Sequence, residues 1–304
     1  MDLTTAGARA SYSYTNEIGG ESVSYLSPSS LDQALDILSQ GGVSILAGGT
    51  DWFPMQGDLP VKRPVLDVTR LPGFRGIVRQ DGGWRIGAAT RWTDIIRADL
   101  PPAFDGLKAA AREVGSVQIQ NAGTVAGNLC NASPAADGVP PLLTLDARVE
   151  MVSKAGLRVV PLDQFLLGVR KTALRPDELV SAVIVPEMAE GARGAFLKLG
   201  ARKYLVISIA MVAGVVTLRD GRIAEARLAV GSCSPVACRL PDLEAAITEQ
   251  VPEDAVRLIS QQNLTGLAPI SDARASAAYR LEAVAEACRR VILSATTEGV
   301  KHDG

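Results

Sequence analysis

Two glycine-rich segments constrain the folding of this 304-residue chain more than any other feature. The first is Ile45-Leu46-Ala47-Gly48-Gly49-Thr50-Asp51-Trp52, which follows a short apolar run typical of a buried strand. Consecutive glycines allow a positive φ and a close approach of the backbone to a ligand. Successive N–H groups in such a turn suit a pyrophosphate. The segment is neither a dinucleotide fingerprint nor a P-loop, and no helix clearly follows it. Taken alone, these residues favour a tight turn capped by Asp51 over a ligand-binding segment.

The second segment is Gly123-Thr124-Val125-Ala126-Gly127-Asn128, which continues to Ala132-Ser133-Pro134-Ala135-Ala136-Asp137. Its small residues leave room for a large flat ligand against the backbone. Ser133 can donate to phosphate or ribose oxygens, and Asp137 can accept from ribose hydroxyls. Residues 115–137 show almost no helical period, so they are predicted to form a long functional loop. The alternative is a surface loop of turn-forming residues. Both segments together favour a nucleotide ligand without identifying it.

Composition excludes several classes of chemistry. The single histidine, His302, lies three residues from the end of the sequence, which argues against Ser–His–Asp or Cys–His catalysis and against His-ligated zinc. Cys130, Cys233, Cys238 and Cys288 show no two-residue spacing, so no metal site or disulfide is predicted and the thiols are expected to be reduced and mostly buried. A net charge of −2 gives no field that would attract nucleic acid or anionic lipid.

No apolar stretch approaches the roughly 20 residues that a membrane-spanning helix needs. Residues 1–21 lack the charged start and apolar run of a signal peptide. The sequence therefore predicts a cytoplasmic protein without membrane insertion. Its length suits two domains, and the Glu, Gly and Ala residues within 186–194 mark a plausible linker.

Periodicity and turn signals predict the elements of both halves. Ser27-Pro28-Ser29-Ser30 precedes a helix that ends at Gly41-Gly42, and an Asp-Gly-Gly turn precedes residues 84–87. The first half has predicted strands over 43–47, 65–68, 84–87 and 149–152 and helices over 93–98 and 106–114. The second half has predicted strands over 195–199, 213–218 and 226–230 and helices over 240–248, 253–261 and 275–294.

The pairing of AGGTD with GTVAGNLCNASPAADGVPPLLTLDARV resembles the FAD-binding medium subunit of molybdenum hydroxylases, the xanthine dehydrogenase and carbon monoxide dehydrogenase family. The resemblance covers nearly the whole chain from about Tyr25 to Ile292. It includes QIQNAGT, VPLDQFLLGVRKTALRPDELV, AFLKLGARKYLVISIA and PISDARASAAYR. So much ordered agreement is far more specific than either glycine segment alone.

The resemblance implies an α+β fold. A vanillyl-alcohol-oxidase-like (PCMH-type) FAD-binding domain in two lobes is followed by a smaller α+β C-terminal domain. The expected bounds are an N-terminal tail over 1–20, an FAD domain over 21–188 with lobes of about 21–80 and 81–188, a C-terminal domain over 189–294 and a tail over 295–304.

The resemblance also implies which residues bind FAD. Ile45, Leu46, Ala47, Gly48, Gly49, Thr50, Asp51 and Trp52 match the first pyrophosphate segment. Gly123, Thr124, Val125, Ala126, Gly127 and Asn128 match the second, followed by Ser133, Pro134 and Asp137. Val114, Val180 and Lys198 match further family positions, and Ile207 matches the position that packs against the isoalloxazine ring.

Three positions depart from the family pattern. Ala126 replaces a glycine, which requires a negative φ there. Gln118-Ile119-Gln120-Asn121 replaces Q-I-R-N and removes a cation. Val206-Ile207-Ser208 replaces Asp-[Tyr/Ile]-Ala and leaves the flavin edge one polar neighbour fewer, which bears on the electron acceptor. The four-cysteine insertion of one branch of the family is absent from the sequence.

By this resemblance the chain receives electrons from two [2Fe–2S] clusters on a small subunit and passes them from FAD to NAD or another acceptor. A large subunit with the molybdenum cofactor would oxidise the substrate, in a dimer of heterotrimers. No catalytic residue is expected in this chain. Two alternatives remain open. The first is a free-standing FAD oxidase, which the lack of a suitable histidine disfavours. The second is a nucleotide-binding assembly module without redox activity.

Overall fold

The computed structural model describes residues 11–13, 23–203 and 205–297. His302 and most of the two predicted tails lie outside these residues. The described chain has two hydrophobic cores. The first is built mainly by residues before the predicted linker, and the second lies within residues 195–295. None of the helices in this part of the chain is long and apolar enough to cross a bilayer.

The first sheet lies in the order β1-β2-β4-β3. Its strands are β1 (Ser11–Ser13), β2 (Ser24–Leu26), β3 (Ser44–Leu46) and β4 (Val65–Asp67). Both β2 and β3 pair with β4 in parallel. The predicted helix α1 (Leu31–Ser39) connects β2 to β3, and the Ser30 hydroxyl caps it by accepting from the N–H of Gln33. A five-residue helix, α2 (Trp52–Gln56), follows β3 and has no buried residue.

The second sheet is antiparallel, in the order β5-β6-β11-β7-β8. Its strands are β5 (Ile77–Gln80), β6 (Gly83–Gly87), β7 (Arg148–Ser153), β8 (Gly156–Pro161) and β11 (Leu179–Val185). The hairpin of β5 and β6 turns at Asp81-Gly82, both with positive φ. The lobe boundary expected near residue 80 lies at the turn of this hairpin.

Helices fill the connection between β6 and β7. They are α3 (Trp92–Arg97), α4 (Asp105–Glu113), α5 (Val117–Ala122), α6 (Val125–Asn131) and α7 (Val139–Thr144), with a 3-10 turn over Pro102–Phe104. Beyond β8 follow α8 (Leu162–Phe165) and a small hairpin of β9 (Leu166–Gly168) and β10 (Lys171–Thr172).

The prediction of a structureless loop over 115–137 was wrong, because α5 and α6 lie within it. Each helix is shorter than two full turns, so its sequence shows no helical period. Their start signals are Ser116 and Thr124, whose hydroxyls accept from the N–H groups of Ile119 and Gly127. Serine and threonine favour loops as well as N-caps, so these two residues alone do not distinguish a helix start from a loop.

The C-terminal half is an antiparallel sheet covered by helices. Its strands are β12 (Arg193–Leu199), β13 (Ala210–Arg219), β14 (Arg222–Gly231) and β15 (Cys238–Arg239), and its helices are α9 (Pro241–Ile247), α10 (Pro252–Ala255) and α11 (Ala277–Thr296). The helix expected over 253–261 is shorter than predicted. The carbonyls of Val256 and Ile259 accept from the Arg289 guanidinium instead, and Ile259 is extended. All four cysteines are free, and Cys233 and Cys288 are buried as expected, whereas Cys130 is exposed.

The two halves are joined by close packing and by ion pairs. Helix α4 packs on β12, and α7 packs on β13 and β14. The carboxylate of Asp146 pairs with the guanidinium groups of Arg227 and Arg239, at 2.9 and 2.8 Å. These contacts hold the C-terminal sheet against the helices that lie before and after the second glycine segment in the sequence.

The ion pair between Arg158 and Glu178 gives a first testable prediction. Glu178 is 3% exposed, and its two oxygens accept from the Arg158 guanidinium at 2.5 and 2.7 Å. Arg158→Met leaves that carboxylate with no ion pair, holding only the hydrogen bond from the Arg175 N–H at 2.8 Å. We expect a loss of about 2 kcal/mol at pH 7, between the values typical of surface and buried pairs.

The loss should depend on pH. The guanidinium of Arg158 holds the pKa of Glu178 below its usual range. The stabilisation is therefore present above the unfolded-state pKa of about 4.3 and is lost as the pH falls through the lower folded-state pKa. Urea unfolding at pH 7 and pH 4 measures the difference. Arg79→Met, which breaks the exposed pair with Glu187, is the control and should change little. An equal loss from Arg158→Met at both pH values would contradict the explanation.

Candidate functional site

A cavity of about 560 Å³ lies where the two glycine segments meet. All of the predicted site residues line it except Leu46, Val125, Pro134 and Lys198. The cavity is lined by β3 and the residues after it, by the start of β11, by α6 and by the segment before β13. The structure therefore brings together residues that are up to 162 positions apart in the sequence, namely Ile45 and Ile207.

The first glycine segment forms a cradle of unused N–H groups. A Cβ atom at Gly48 would lie 2.0 Å from the Ala122 carbonyl oxygen, and Gly49 has a φ of 73°. No hydrogen bond within the described ranges uses the N–H groups of Gly48, Gly49, Thr50 or Asp51. Helix α2 begins directly afterwards, which corrects the expectation that no helix follows. Asp51 makes no capping hydrogen bond with its side chain, so the interpretation as a turn capped by Asp51 is not supported.

The second segment has a different construction, because its N–H groups are already used. Those of Val125 and Ala126 donate to the carbonyls of Thr90 and Ala88, and that of Gly127 donates to the Thr124 hydroxyl at 3.1 Å. The segment therefore presents small side chains rather than open donors. Ala126 lies inside α6 and is not among the positive-φ residues, so the condition for alanine at this position is met.

Two polar side chains in the cavity have unused capacity. The Asn128 Oδ1 atom is buried and has no hydrogen-bond partner in the part of the chain that the structure describes. Ser133 Oγ accepts from the Ala135 N–H at 3.2 Å, which leaves its own proton for a ligand. A buried acceptor without a partner is costly unless a ligand donor meets it. Together with the glycine cradle, these groups fit a ligand that carries both phosphates and hydroxyls, as FAD does.

A buried ion pair closes the far end of the cavity. Lys198 Nζ donates to Asp137 Oδ2 at 2.9 Å and to the Glu113 carbonyl at 3.1 Å. The side chains of Lys198 and Asp137 are only 6% and 11% exposed. Ser208 Oγ donates to the other oxygen of Asp137 at 3.3 Å. Burial raises the pKa of Asp137 to about 6, although the hydrogen bonds and charge of Lys198 oppose the shift.

The four predicted residues outside the cavity wall have other positions. Leu46 and Val125 are buried, and the side chain of Val125 belongs to the first core. The Pro134 carbonyl accepts from the Ser232 N–H at 2.9 Å, across the junction of the two halves. Lys198 contacts the cavity through its ion pair with Asp137. Lys198 and Pro134 would therefore influence the ligand through the neighbouring residues that line the cavity.

The sequence prediction missed several residues of the wall. Trp92 is 1% exposed and packs where a Cβ at Gly138 would lie 2.4 Å from its ring. Arg170 brings a cation to the cavity and donates to the Asn131 carbonyl at 3.1 Å. Gln120, which replaces the family arginine, turns away and donates to the Arg112 carbonyl. No local pattern identifies Arg170, because it stands in the turn between β9 and β10. The other residues missed are Met55, Val68, Ala88, Ile119, Cys130, Asn131, Ala135, Ala136, Leu174, Leu179 and Val206.

Comparison with known families gives two matches in series. Residues 21–188 match the FAD binding domain in molybdopterin dehydrogenase, and residues 195–295 match the CO dehydrogenase flavoprotein C-terminal domain. The xanthine dehydrogenase FAD-binding subunit of Escherichia coli O157:H7 is 32% identical over 278 residues, which cover 90% of this chain and 95% of that subunit. The nicotine 6-hydroxylase medium subunit of Paenarthrobacter nicotinovorans is 31% identical over 90% of this chain and 97% of its own length.

Solved structures give the same result. A chain of carbon monoxide dehydrogenase from Hydrogenophaga pseudoflava superimposes with a TM-score of 0.82 at 28% identity and covers 89% of this chain and 96% of its own. The predicted α+β fold, an FAD-binding domain followed by a C-terminal flavoprotein domain, is therefore confirmed. The chain belongs to the FAD-binding medium subunits of the molybdenum hydroxylase family, the xanthine dehydrogenase and carbon monoxide dehydrogenase type, and is an FAD-binding oxidoreductase subunit.

Proposed function

We propose that this chain relays electrons within a cytoplasmic three-subunit enzyme. A small subunit with two [2Fe–2S] clusters would deliver the electrons, and a large subunit with the molybdenum cofactor would oxidise the substrate. The complex would be a dimer of such heterotrimers. FAD bound to this chain would pass the electrons to NAD or another acceptor. The finding that carries the proposal is the cavity formed by both glycine segments, since it is built for a phosphate-bearing cofactor.

The residues of the cavity have separable tasks in this proposal. The free N–H groups from Gly48 to Asp51 would hold the pyrophosphate, and Asn128 and Ser133 would meet polar groups of the cofactor. FAD supplies the redox chemistry when it is bound, because it accepts electrons singly or in pairs. Asp137 and Lys198 would fix the charge next to the cofactor. The chain would therefore position FAD and set its surroundings rather than act on a substrate.

Exposed apolar side chains near the cavity support a partner. Met55 and Ile207 line the cavity yet are 67% and 60% exposed, and Phe53 on the same short helix as Met55 is 61% exposed. Clustered apolar side chains of this kind mark interaction sites more often than free surface. A partner seated there would cover the cofactor and could deliver electrons to it.

The acceptor depends on the segment after β12. Val206 lines the cavity where the family often has aspartate, so this edge of the site is apolar. We keep NAD as the first acceptor to test, with oxygen or a quinone as alternative outcomes.

Purification of the tagged chain from its native source tests the proposal. We expect iron, molybdenum and two further polypeptides to copurify, together with a flavin spectrum that bleaches when NADH is added. The same purification from cells without the tag is the control for metals and polypeptides that bind non-specifically. A yellow protein without partners that consumes oxygen with a substrate would indicate a free-standing oxidase. A colourless protein that takes up no FAD would indicate an assembly module, and either result overturns the proposal.

A further inference from the structure

Arg280 is buried in the C-terminal domain, outside the FAD cavity. It lies on the second turn of α11, is 1% exposed, and is the one arginine or lysine that is fully buried in the described ranges. It does not line the cavity. Its Nη1 donates to the carbonyls of Ile209 and Ser232, the latter at 3.1 Å, and its Nη2 donates to Asp272 Oδ1 at 2.8 Å.

The carboxylate that meets Arg280 is itself held in place. Asp272 accepts from the N–H of Arg274 at 2.8 Å and from its guanidinium at 2.6 and 3.1 Å. These hydrogen bonds keep the pKa of Asp272 well below its usual range. Both Asp272 and Arg280 belong to the PISDARASAAYR segment, and no residue of that segment lines the FAD cavity. The segment therefore builds a fixed charged anchor inside the C-terminal domain.

Each carbonyl held by Arg280 is one step from the cavity wall. Ile209 directly follows Ser208, whose hydroxyl donates to Asp137 at 3.3 Å. Ser232 donates its N–H to the carbonyl of Pro134, in the second glycine segment. Ser232 also has a φ of 64°, a left-handed conformation that a serine keeps only when its surroundings require it. One guanidinium thus joins two chain segments, one hydrogen-bonded to Asp137 and the other to Pro134 in the second glycine segment.

We propose that Arg280 is a positioning residue for the FAD site: it holds Ile209 and Ser232 so that Ser208 and Pro134 keep Asp137 and the second glycine segment in place for the cofactor. This inference rests on the FAD cavity described above. It assigns to the C-terminal domain a role in shaping the site, in addition to covering it.

A contribution to folding stability alone explains the burial of Arg280 less well than positioning does. A buried charge pays a large desolvation penalty, and replacing it with an apolar side chain of similar size is often neutral for stability. The Arg280 Nε atom also has no partner among the described residues, so the guanidinium is not fully compensated. Positioning predicts a specific effect on FAD, whereas a purely structural role predicts a loss of stability without one.

The test compares the FAD affinity of the deflavinated full chain with those of Arg280→Met, Arg280→Lys and Arg289→Met. Arg289 is the matched control, since it lies on the same helix and also holds two carbonyls, those of Val256 and Ile259, away from the cavity. We expect Arg280→Met to weaken FAD binding by about tenfold. The FAD affinity of Arg280→Lys should fall between those of Arg280→Met and the wild type, because an ammonium can form only some of the hydrogen bonds that the guanidinium makes. Arg289→Met should leave the affinity within about twofold of the wild type.

The pH profile separates positioning from general weakening. Lys198 and Glu113 are the charged groups that act on Asp137, and neither has a hydrogen bond to Arg280 in the described chain. The hydrogen bond from Ser208 lowers the pKa of Asp137, so its loss in Arg280→Met should move the midpoint of FAD binding to higher pH. Ser208→Ala should cause the same move, and combining the two substitutions should add little.

Each outcome bears on the inference. A folded Arg280→Met that binds FAD with wild-type affinity and midpoint overturns it, as does an equal loss in Arg289→Met. If Arg280→Met does not fold, Arg280→Lys and Ser208→Ala decide: a weaker affinity and a higher midpoint support the inference, and unchanged values overturn it. Wild-type protein that binds no FAD would instead refute the proposed function, so the two failures are distinguishable.

Discussion

Replacing Gly48 with alanine is expected to lower the affinity for FAD by at least about 100-fold, which corresponds to about 2.7 kcal/mol. The added Cβ would lie 2.0 Å from the carbonyl oxygen of Ala122, 2.7 Å from its carbonyl carbon and 2.9 Å from the Gly123 Cα. All three are backbone atoms at the point where α5 ends and the second segment begins. No rotamer change relieves this contact, so the two glycine segments must move apart.

Moving the segments apart damages the site directly. The open N–H groups belong to the first segment, and the small surface that faces them belongs to the second, so the cradle exists only while the two are in contact. We expect the chain to lose about 1–3 kcal/mol of its folding stability, as at other overpacked positions. The cavity should therefore lose its cofactor while the chain remains folded.

Titration of the deflavinated protein with FAD, followed by flavin fluorescence, measures the affinity. Gly168→Ala is the matched control, because the nearest atom to its added Cβ is 4.0 Å away and its φ is not positive. That variant should bind FAD as the wild type does. If Gly48→Ala binds FAD within a few-fold of the wild type and is as stable, the first segment does not form the cradle.

The sequence predicted β3, β4, β6, β7, β12, β13 and β14 and the helices α1, α4 and α11, but it missed β5, β8 and β11, three of the five strands of the second sheet. The hairpin at Asp81-Gly82 and the N-cap at Ser30 are local signals, and both were read correctly. Helices α2, α5, α6 and α7 were missed because five to seven residues show a 3.6-residue repeat only weakly, although the equally short α3 and α9 were predicted. Their formation depends on contacts between segments, such as the hydrogen bonds from α6 to Ala88 and Thr90.

The sequence predicts the glycine segments of the candidate site better than the other residues of the cavity wall. The glycine segments can be recognised locally, since a backbone that approaches a ligand needs small residues. The contribution of Arg170 cannot, because a single arginine in a hairpin turn has no distinctive pattern. The difference between the two segments, one with open N–H groups and one with them satisfied, also required the structure. Lys198 was identified only through the family resemblance, and the structure shows its partners, Asp137 and the Glu113 carbonyl.

Replacing Lys198 with methionine is expected to destabilise the FAD-free chain by about 3 kcal/mol at pH 8 and by much less at pH 5. The pKa of Asp137 is about 6 in the folded chain, above its unfolded value of about 3.9. Burying this carboxyl therefore costs nothing below the unfolded pKa, and the cost is complete above the folded pKa. Lys198 limits the cost, because its charge and hydrogen bond lower the pKa of Asp137.

Without Lys198 the folded pKa of Asp137 rises further, so the penalty keeps growing as the pH increases beyond 6. At pH 5 the carboxyl is mostly protonated in the folded state of both proteins, and the variant no longer buries an ammonium with a neutral partner. Its stability should then approach that of the wild type. Urea unfolding at pH 5, 6.5 and 8, on protein stripped of FAD so that ligand binding does not contribute, measures the difference.

The double variant Lys198→Met with Asp137→Asn is the decisive control. It removes both charges from the cavity end, so its stability relative to the wild type should lose the steep decline between pH 5 and 8 that Lys198→Met shows. At pH 8 it should be more stable than Lys198→Met alone, because no carboxylate is left buried without a partner. A loss in Lys198→Met that is the same at pH 5 and pH 8, and that Asp137→Asn does not relieve, would mean that Lys198 contributes through packing of its aliphatic chain and that the ion pair with Asp137 does not set the charge at this end of the site.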